Sequence, residues 1–565
     1  MRMMSLITRI LLIVFLISAV VVMFHKAPQC FNRLNNYLNE VRHPAPAKNN
    51  SKYGGTLTWG TINSPTIINP VLTSHSVSTA LLDLIFDSLV RIDQHGVIRP
   101  GLAKSWEVSN DGLIYTFHLQ EHVYFHDGIE CTSQDVMFTF ESFMDPLNQS
   151  PWLDHMQAIK QMKVLDLYTF QIELNRPTSD FLLILTQHQI MPKHLYEGKD
   201  LFTISYNEKP IGTGPFRFES WDHDNNEIRL IANDQYFEGR PFLDAIVIKS
   251  YKDNAALWAA FMRGEVDFVK FLNQKDYEVL SKDPTFKAYQ FPTGLYFAII
   301  YNLSDPVLNN SELRHALSLA VDRKALMNAV GIDGIESNGP FYPQSPWFNK
   351  KIEPVVYDPL QAMKILNQLG WKDKNKEGIL KKNNKALVLT MLVDRNRWFY
   401  YQIALTLRQQ LSEIGVGLRV AFYDNENQLT KDYLAQVKPQ MWLRMFGAGN
   451  VDPADMVYSW YSSSSEYGRI WAYKNKTIDQ LFEHGRITKD IQERVKDYQK
   501  VNALIDEDQP ACFLFFSVLY NAVSSKVGNT EGFFNDYMPG YLMKQWYYKT
   551  LGYCRKQGYY KKRGY

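Results

Sequence analysis

The chain has 565 residues, of which 45% are hydrophobic and 21% are charged, and its formal net charge is +2. This length is too great for one hydrophobic core, so we expect two or three domains. The near-neutral charge argues against a nucleic acid as the partner, because nucleic-acid-binding domains are strongly basic.

The first predicted element is an apolar segment near the amino terminus. Residues 10–24 read ILLIVFLISAVVVMF and follow Arg2 and Arg9, which is the basic and then apolar pattern of an export signal. This run of 15 residues falls between the apolar part of a signal peptide and a full membrane span. Because the following HKAP is a poor cleavage site, residues 1–26 are interpreted as an uncleaved membrane anchor rather than a cleaved signal. Residues 27–52 are expected to form a polar linker.

The globular part is predicted to start with a β-rich run at residue 53, and residues 74–92 read as a helix that leads into a strand. Residues 102–140 read as strand, turn, strand, turn and helix. The NDG sequence between the two strands is a strong hairpin signal, because glycine accepts the positive φ that such turns require. Thr132 and Asp135 have the spacing of a capping box before an apolar helix. No catalytic group lies in this region, which favours a binding protein over an enzyme.

This region, LAKSWEVSNDGLIYTFHLQEHVYFHDGIECTSQDVMFTF, resembles the signature of the extracellular solute-binding proteins of family 5, the peptide- and nickel-type receptors of ABC importers. The family pattern is L-A-x-S-W-E-x-S-x-D-G-x-x-Y-x-F-x-L, followed by F-x-D-G and T-x-x-D-V. Similar matches occur at IGTGPFRF, at NDQYFEGRPFLD and at GLYFAIIYNLSDPVLNNSELRHALSLAVDR. The resemblance therefore covers most of the chain, from about residue 53 to about residue 525.

Several later segments also predict local structure. The two glycines of IGTGPF are expected to allow positive φ in a turn. Residues 245–250, 254–263 and 266–269 read as a β-α-β unit. Residues 391–420 read as a strand, a long helix and the start of another strand. Ser311 is expected to cap a helix whose buried face consists of residues at helical spacing, namely Leu313, Ala316, Leu317, Ala320 and Val321.

The resemblance implies an α/β fold of mixed α+β content. This is the two-lobed periplasmic-binding-protein clamp of type II, in the large cluster with an extra subdomain in lobe one. Lobe one is expected at residues 53–290, with the extra subdomain at about 94–210, and lobe two is expected at residues 291–509. The chain would return to lobe one at residues 510–545 and end in a basic, aromatic tail at residues 546–565. Such clamps bury their ligand by hinge closure.

The resemblance also points to a ligand-binding loop. Peptide-binding members hold the α-ammonium of the ligand with an aspartate four residues before a proline. The corresponding loop here is FGAGNVDPADM, in which Gly449 stands four residues before Pro453. A desolvated ammonium without a paired carboxylate is unstable by several kcal/mol, which argues against the usual mode of binding. Asp452 and Asp455 are the candidates to replace the missing acid.

The other candidate ligand-binding residues are spread over both expected lobes. Arg395 precedes a helix, where an arginine could pair with a ligand carboxylate in a bidentate manner. Aromatic side chains could form the walls of the cleft. The full set of candidates, beyond the two aspartates, is Asn63, Ser64, Tyr296, Arg395, Trp398, Trp442 and Asn450.

No motif of an enzyme or a metal site is found. The chain lacks GxSxG, HExxH and P-loop sequences, so we expect no catalytic residue, no metal and no cofactor. The four cysteines show no metal-ligand spacing, and Cys512, in the apolar run CFLFF, is expected to be a buried thiol. Bridges between Cys131 and Cys512, or between Cys30 and Cys554, are both open alternatives.

The predicted function is that of the substrate-binding component of an ABC importer. Such a component captures oligopeptides or a similar small solute by hinge closure and delivers them to a permease in the membrane. We expect a periplasmic or extracytoplasmic monomer that is tethered to the inner membrane by residues 10–24. The alternative is a membrane-anchored sensor of a solute or a cell-wall fragment, which uses the same clamp without transport.

Overall fold

A computed structural model of the chain describes residues 52–62, 64–73, 76–424, 429, 431–448, 453, 460, 471–488, 490–533 and 540–549. The predicted anchor and nearly all of the predicted linker lie outside these residues. No helix in the described part of the chain is long and apolar enough to cross a membrane.

Strands and helices alternate through most of the described chain. The strands are β1 (Thr56–Thr61), β2 (Val90–Ile92), β3 (Ile98–Pro100), β4 (Ala103–Val108), β5 (Ile114–Leu119), β6 (Ile159–Asp166), β7 (Thr169–Leu174), β8 (Phe216–Asp222), β9 (Glu227–Ala232), β10 (Ala245–Ser250), β11 (Phe268–Leu272), β12 (Phe286–Tyr301), β13 (Gly334–Glu336), β14 (Asp373–Lys374), β15 (Leu380–Lys382), β16 (Lys385–Ala386), β17 (Val388–Asp394), β18 (Gly417–Tyr423), β19 (Met441–Gly447), β20 (Ala511–Ser524), β21 (Val527–Gly528) and β22 (Tyr547–Tyr548).

The α-helices are α1 (Ser76–Ile85), α2 (Ser133–Met144), α3 (Leu153–Met156), α4 (Phe181–Leu185), α5 (Lys193–Tyr196), α6 (Asn254–Met262), α7 (Gln274–Leu280), α8 (Ser311–Leu319), α9 (Arg323–Val330), α10 (Pro359–Gln368), α11 (Trp398–Glu413), α12 (Lys431–Val437), α13 (Lys476–Ile487) and α14 (Ile491–Asp508). Short 3-10 helices occur at Pro146–Asn148, Ser205–Asn207 and Gly540–Gln545.

The largest sheet of the described chain has 11 strands, in the order β18-β17-β19-β12-β20-β11-β1-β10-β9-β8, with β13 paired to β20. We call β1 and β8 to β11 the first strand group, and β17 to β19 the second strand group. In the first group β1 is parallel to both β10 and β11. In the second group β17 is parallel to both β18 and β19. Each group therefore contains parallel strands, although β9 of the first group is antiparallel to both β8 and β10. The predicted β-α-β unit is present as β10, α6 and β11, with β1 between the two strands in the sheet.

The two strand groups are joined by a long antiparallel pair, which we call the β12–β20 ribbon. Its register runs from Phe286 opposite Ser524 to Ile300 opposite Ala511. The register shifts between Pro292 and Tyr296, near the middle of the ribbon. The outer edges of the ribbon pair with β11 of the first group and with β19 of the second group. A bulged strand pair of this kind bends more easily than a regular one, and it is placed between the two groups.

A separate four-stranded sheet, in the order β4-β5-β7-β6, packs with α2 around its own hydrophobic core. The hairpin predicted in this region is confirmed as β4 and β5, and Gly112 in its turn has a φ of 76°. The predicted capping box is also confirmed. The Thr132 N–H donates to the Asp135 carboxylate at 2.8 Å, and the Thr132 hydroxyl accepts from the N–H of Gln134 at 3.3 Å.

The sequence led to two wrong local assignments. Asn310, not Ser311, caps α8, because the Asn310 side chain accepts from the N–H of Leu313 at 2.8 Å. The predicted buried face of this helix is nevertheless confirmed.

The second wrong assignment concerns the glycines of IGTGPF, which do not have positive φ. A Cβ on Gly212 would lie 2.1 Å from the carbonyl oxygen of Ile85, and one on Gly214 would lie 2.5 Å from the carbonyl carbon of Ile85. Both glycines are needed for close approach to the end of α1.

The cysteines and the start of the tail are packed inside the protein. Cys131 and Cys512 are free, buried thiols that belong to two different hydrophobic cores, so the bridge between them is excluded. The buried thiol predicted at Cys512 is confirmed, while Cys30 and Cys554 lie outside the described residues. Trp546 is fully buried, with its ring 5.4 Å from that of Phe268. The first residues of the predicted tail are therefore part of the fold.

Candidate functional site

The carboxyl ends of the parallel strands of the second group lie together at one edge of the sheet. β17, β18 and β19 end at Asp394, Tyr423 and Gly447. In register, Gly447 is opposite Leu295 of the β12–β20 ribbon, so this edge faces the bulged middle of the ribbon.

The carboxyl ends of the parallel strands in the first group approach the middle of the β12–β20 ribbon from its opposite edge. β1, β10 and β11 are parallel, and β11 ends at Leu272, opposite Tyr520 of the ribbon. In open α/β sheets ligands bind in the crevice outside the carboxyl ends of the strands. Two such edges that converge on one ribbon define a cleft between the strand groups, and this cleft is the candidate ligand-binding site.

The bulged middle of the ribbon is held by polar contacts between its two strands. Thr293 Oγ1 lies 2.8 Å from Ser517 Oγ, and both residues are buried. The N–H of Ala448, directly after β19, donates to the carbonyl of Gly294 at 2.7 Å. The second of these bonds joins the end of β19 to the ribbon. Sequence reasoning did not find them, because the only local signal was the pair Thr-Gly inside a predicted strand.

Two of the candidate residues follow β17 and are exposed at this edge. The Arg395 side chain is 63% exposed, and its Nε lies 3.3 Å from Asp424 Oδ1. Its guanidinium also lies over the ring of Phe422, at 5.4 Å from the ring centroid. Trp398 opens α11 and is 62% exposed. An exposed guanidinium and an exposed indole at the edge of a cleft are available to a ligand carboxylate and to an apolar ligand surface.

Two other candidates are buried in the aromatic core beneath the second group. Tyr296 is 1% exposed, and its hydroxyl accepts a hydrogen bond from Trp460 Nε1 at 3.0 Å. Burial raises the pKa of Tyr296 well above its ordinary value, so it stays neutral. Trp442 is 2% exposed and donates from Nε1 to the Tyr423 hydroxyl at 3.2 Å. These contacts place Tyr296 and Trp442 behind the cleft wall, and their direct contact with a ligand stays a prediction.

The remaining candidates follow β1 and β19 in the sequence. Ser64 is exposed, three residues after the end of β1. Asn63, Asn450, Asp452 and Asp455 lie outside the described residues. The described part of the chain contains no group of three His, Cys, Asp or Glu side chains that could hold a metal ion.

A buried ionic cluster supports the first strand group. Asp87 is 3% exposed and accepts hydrogen bonds from the hydroxyls of Thr213 and Tyr236, each at 2.9 Å. Arg91 is 5% exposed, and its Nη1 donates to Glu238 at 2.9 Å while its Nη2 lies 3.9 Å from Asp87. Burial raises the pKa of Asp87 despite the opposing effect of Arg91. The cluster connects α1 to the loop after β9.

Two half-buried charged residues, Asp83 and Lys270, lie near this cluster. Burial lowers the pKa of Lys270 to about 8, against the opposing charge of Asp83. Burial also raises the pKa of Asp83 to about 6. Lys270 Nζ lies 4.9 Å from the ring centroid of Trp59, and the N–H of Gly540 donates to Asp83 at 3.2 Å. The contact of Asp83 with Gly540 joins α1 to the carboxyl-terminal segment, and we assign Asp83 and Lys270 a structural role.

Comparison with known proteins agrees with this geometry. The family model for bacterial extracellular solute-binding proteins, family 5 Middle, matches residues 97–468. The oligopeptide-binding protein AppA of Bacillus subtilis is 28% identical over 495 residues, which cover 85% of this chain and 89% of AppA.

Solved structures give the same result. The structure of AppA from Bacillus subtilis in complex with a nonapeptide has a TM-score of 0.72 at 26% identity, and covers 88% of this chain and 100% of AppA. The structure of NikZ from Campylobacter jejuni in complex with Ni(L-His) has a TM-score of 0.71 at 26% identity, and covers 87% and 99% of the two chains.

The fold and the cleft define a two-lobed solute-binding clamp of the type II periplasmic-binding-protein architecture, a receptor and not an enzyme. The chain belongs to the bacterial extracellular solute-binding proteins of family 5, and it is a substrate-binding component of an ABC importer that works outside the cytoplasm.

Proposed function

We propose that this protein captures oligopeptides, or a similar small solute, as a monomer and delivers them to an ABC permease. The observation that carries the proposal is the convergence of the carboxyl edges of both strand groups on the bulged ribbon. The similarity to an oligopeptide-binding protein, which also holds for a structure with a bound nonapeptide, supports peptides as the ligand class.

We propose that the lobe boundaries lie where the sequence suggested. Lobe one comprises residues 53–290 with the extra subdomain at about 94–210, lobe two comprises residues 291–509, and residues 510–545 return to lobe one. The register shift between Pro292 and Tyr296 supports a hinge at the first boundary, because an irregular strand pair resists bending less.

One hydrogen bond crosses from the extra subdomain to lobe two. The N–H of Ser179, after β7, donates to the carbonyl of Arg486 in α13 at 2.9 Å. Under the proposed boundaries this contact forms when the lobes close and is lost when they separate. It would therefore favour the closed, ligand-bound state.

The proposed ligand contacts come from loops at the two carboxyl edges. Arg395 pairs with a ligand carboxylate and Trp398 covers an apolar ligand surface, which their exposure supports. Asn63 and Ser64 contribute from lobe one, and Asn450, Asp452 and Asp455 from the loop after β19. Tyr296 and Trp442 form the aromatic support of that wall.

Binding of short peptides by the detergent-purified full chain tests this proposal. At a ligand concentration of about 100 times Kd, binding should stabilise the folded protein by about 2.7 kcal/mol, which raises its melting temperature. Trialanine should stabilise the chain, and Arg395→Ala should weaken its binding about tenfold or more, because a charge-assisted hydrogen bond is lost. The amidated form, which has no carboxylate, should bind wild type and Arg395→Ala equally.

The matched control is Arg263→Ala, because Arg263 is 60% exposed and pairs with Glu265 between α6 and the amino-terminal end of β11, away from the cleft. This variant should bind trialanine like the wild type. Absence of stabilisation by any di- to pentapeptide would exclude peptides, and stabilisation by nickel–histidine alone would move the ligand class to metal chelates.

We also propose that the protein is tethered to the inner membrane by residues 10–24. The support is the uninterrupted apolar run, the arginines before it and the poor cleavage site after it. Mass spectrometry of the native protein from washed membranes should find peptides from residues 1–26. A released form that begins after residue 26 would show that the segment is a cleaved signal.

A further inference from the structure

A pocket of about 590 Å³ opens beside the β12–β20 ribbon, between the two strand groups. This volume is within the range of small-molecule sites. Side chains from both proposed lobes and from the ribbon line it, among them Tyr277, Gln290, Pro292, Asp333, Gln344 and Val518.

The pocket exists because the sheet is interrupted there. On the outer edge of β20, pairing with β11 ends at Tyr520 and pairing with β13 begins at Ser517. In the gap, the N–H of Val518 donates to the carbonyl of Asp333 at 2.8 Å, which brings Asp333 to the ribbon. Tyr277 reaches the gap from α7, the helix after β11. The pocket therefore lies at the carboxyl end of β11, one of the strands whose ends define the cleft.

The pocket has a negative and aromatic character. Asp333 carries the only charge among the described residues that line it. The hydroxyl of Tyr520 donates to Asp333 Oδ2, and no described residue donates to Oδ1. The ring of Tyr520 lies 4.7 Å from that of Tyr277. Burial, Asp333 and the nearby Glu278 raise the pKa of Tyr520, so the phenol remains a neutral donor in a negative field.

A carboxylate beside aromatic rings attracts a cation that can donate hydrogen bonds, which is the chemistry of an ammonium group. We propose that this pocket binds the ammonium group of the captured ligand, with Asp333 as its counter-charge and Tyr277 as its aromatic wall. The inference rests on the proposed function in one respect, namely that the ammonium belongs to a peptide. Asp333 would then supply the carboxylate that the loop after β19 lacks at Gly449.

Calorimetric titration of the full chain with trialanine, N-acetyl-trialanine and n-butylamine tests the proposal. The variant Asp333→Asn keeps the size of the side chain and an acceptor for Tyr520, and removes only the charge. It should weaken the binding of trialanine and n-butylamine about tenfold or more, since one charge-assisted contact is lost. N-acetyl-trialanine, which has no ammonium, should bind wild type and variant equally. Glu265→Gln, which removes an acid 52% exposed in the turn before β11, should change nothing.

A second variant keeps the proposal testable if the Asp333→Asn variant does not fold. Tyr277→Leu removes the proposed cation–π contact together with the ring contact to Tyr520. It should weaken the binding of n-butylamine several-fold and leave the binding of the acetylated peptide unaffected. If trialanine binds and both variants bind it as well as the wild type, the inference is overturned and the proposed function stands. If n-butylamine binds in an Asp333-dependent manner and no peptide does, the pocket assignment stands and the peptide proposal fails. Binding of neither ammonium compound to the wild type overturns the assignment.

Discussion

Asp87→Ala is expected to destabilise the folded chain by about 3 kcal/mol or more, because it breaks a buried ionic cluster from one side. The substitution takes one of the two carboxylates from the buried guanidinium of Arg91. It also removes the acceptor of the Thr213 and Tyr236 hydroxyls. A buried donor without a partner lowers the free energy of unfolding by about 1–3 kcal/mol, and a buried charge without a partner lowers it by more.

The measurement is the midpoint of urea unfolding, followed by tryptophan fluorescence at constant protein concentration. Glu219→Gln is the control, because Glu219 pairs with Arg229 at an exposed position and such pairs contribute about 0–1 kcal/mol. A shift for Asp87→Ala no larger than that of the control would show that the cluster does not hold α1. Arg91→Met in the Asp87→Ala background should recover part of the loss, since it removes a buried charge that has lost one of its two carboxylate partners.

Gly212→Ala is expected to destabilise the chain by about 3 kcal/mol or more, through steric overlap rather than backbone strain. The added Cβ would lie 2.1 Å from the carbonyl oxygen of Ile85 and 2.7 Å from the ring of Phe86. A backbone carbonyl at the end of a packed helix cannot move away without displacing α1. Thermal and urea unfolding of the variant, with near-ultraviolet circular dichroism as a check on packing, measure the effect.

The variant Gly239→Ala distinguishes the effect of backbone strain from that of steric overlap when a glycine is replaced. Gly239 has a φ of 93°, and a Cβ there would meet nothing within 4 Å, so only backbone strain of about 1–2 kcal/mol is expected. Equal losses for the two variants would mean that the contact with Ile85 relaxes easily, and the close approach would then be unimportant for stability.

The elements that the sequence predicted well are those with local causes. The hairpin of β4 and β5 depends on a turn that only glycine accepts easily, and α2 begins at a capping box, so neighbouring residues determined both. The face of α8 followed from helical spacing alone. Its cap did not, because Asn310 and Ser311 are both good capping residues and only the geometry decides between them.

The features that the sequence did not predict depend on contacts between distant segments. Nothing near Gly212 indicates that Ile85 will lie against it. The β12–β20 ribbon joins segments more than 200 residues apart, and so does the contact of Thr293 with Ser517. At the gap in the sheet, Asp333 meets Tyr520, which lies 187 residues further along the chain. Arg395 and Trp398 could be proposed as ligand contacts because they closely follow a predictable strand. No comparable feature in the sequence near Asp333 indicates a ligand contact.

The place of β20 in the sheet determines when this protein can finish folding. β20 lies between β11 and β12, yet it is made of residues 511–524 and therefore leaves the ribosome long after both of these strands. Until it arrives, the first strand group lacks its inner neighbour and the ribbon cannot form. Sheets completed by such distant segments form slowly. A nascent chain in this state stays incompletely folded, which suits a receptor that works outside the cytoplasm.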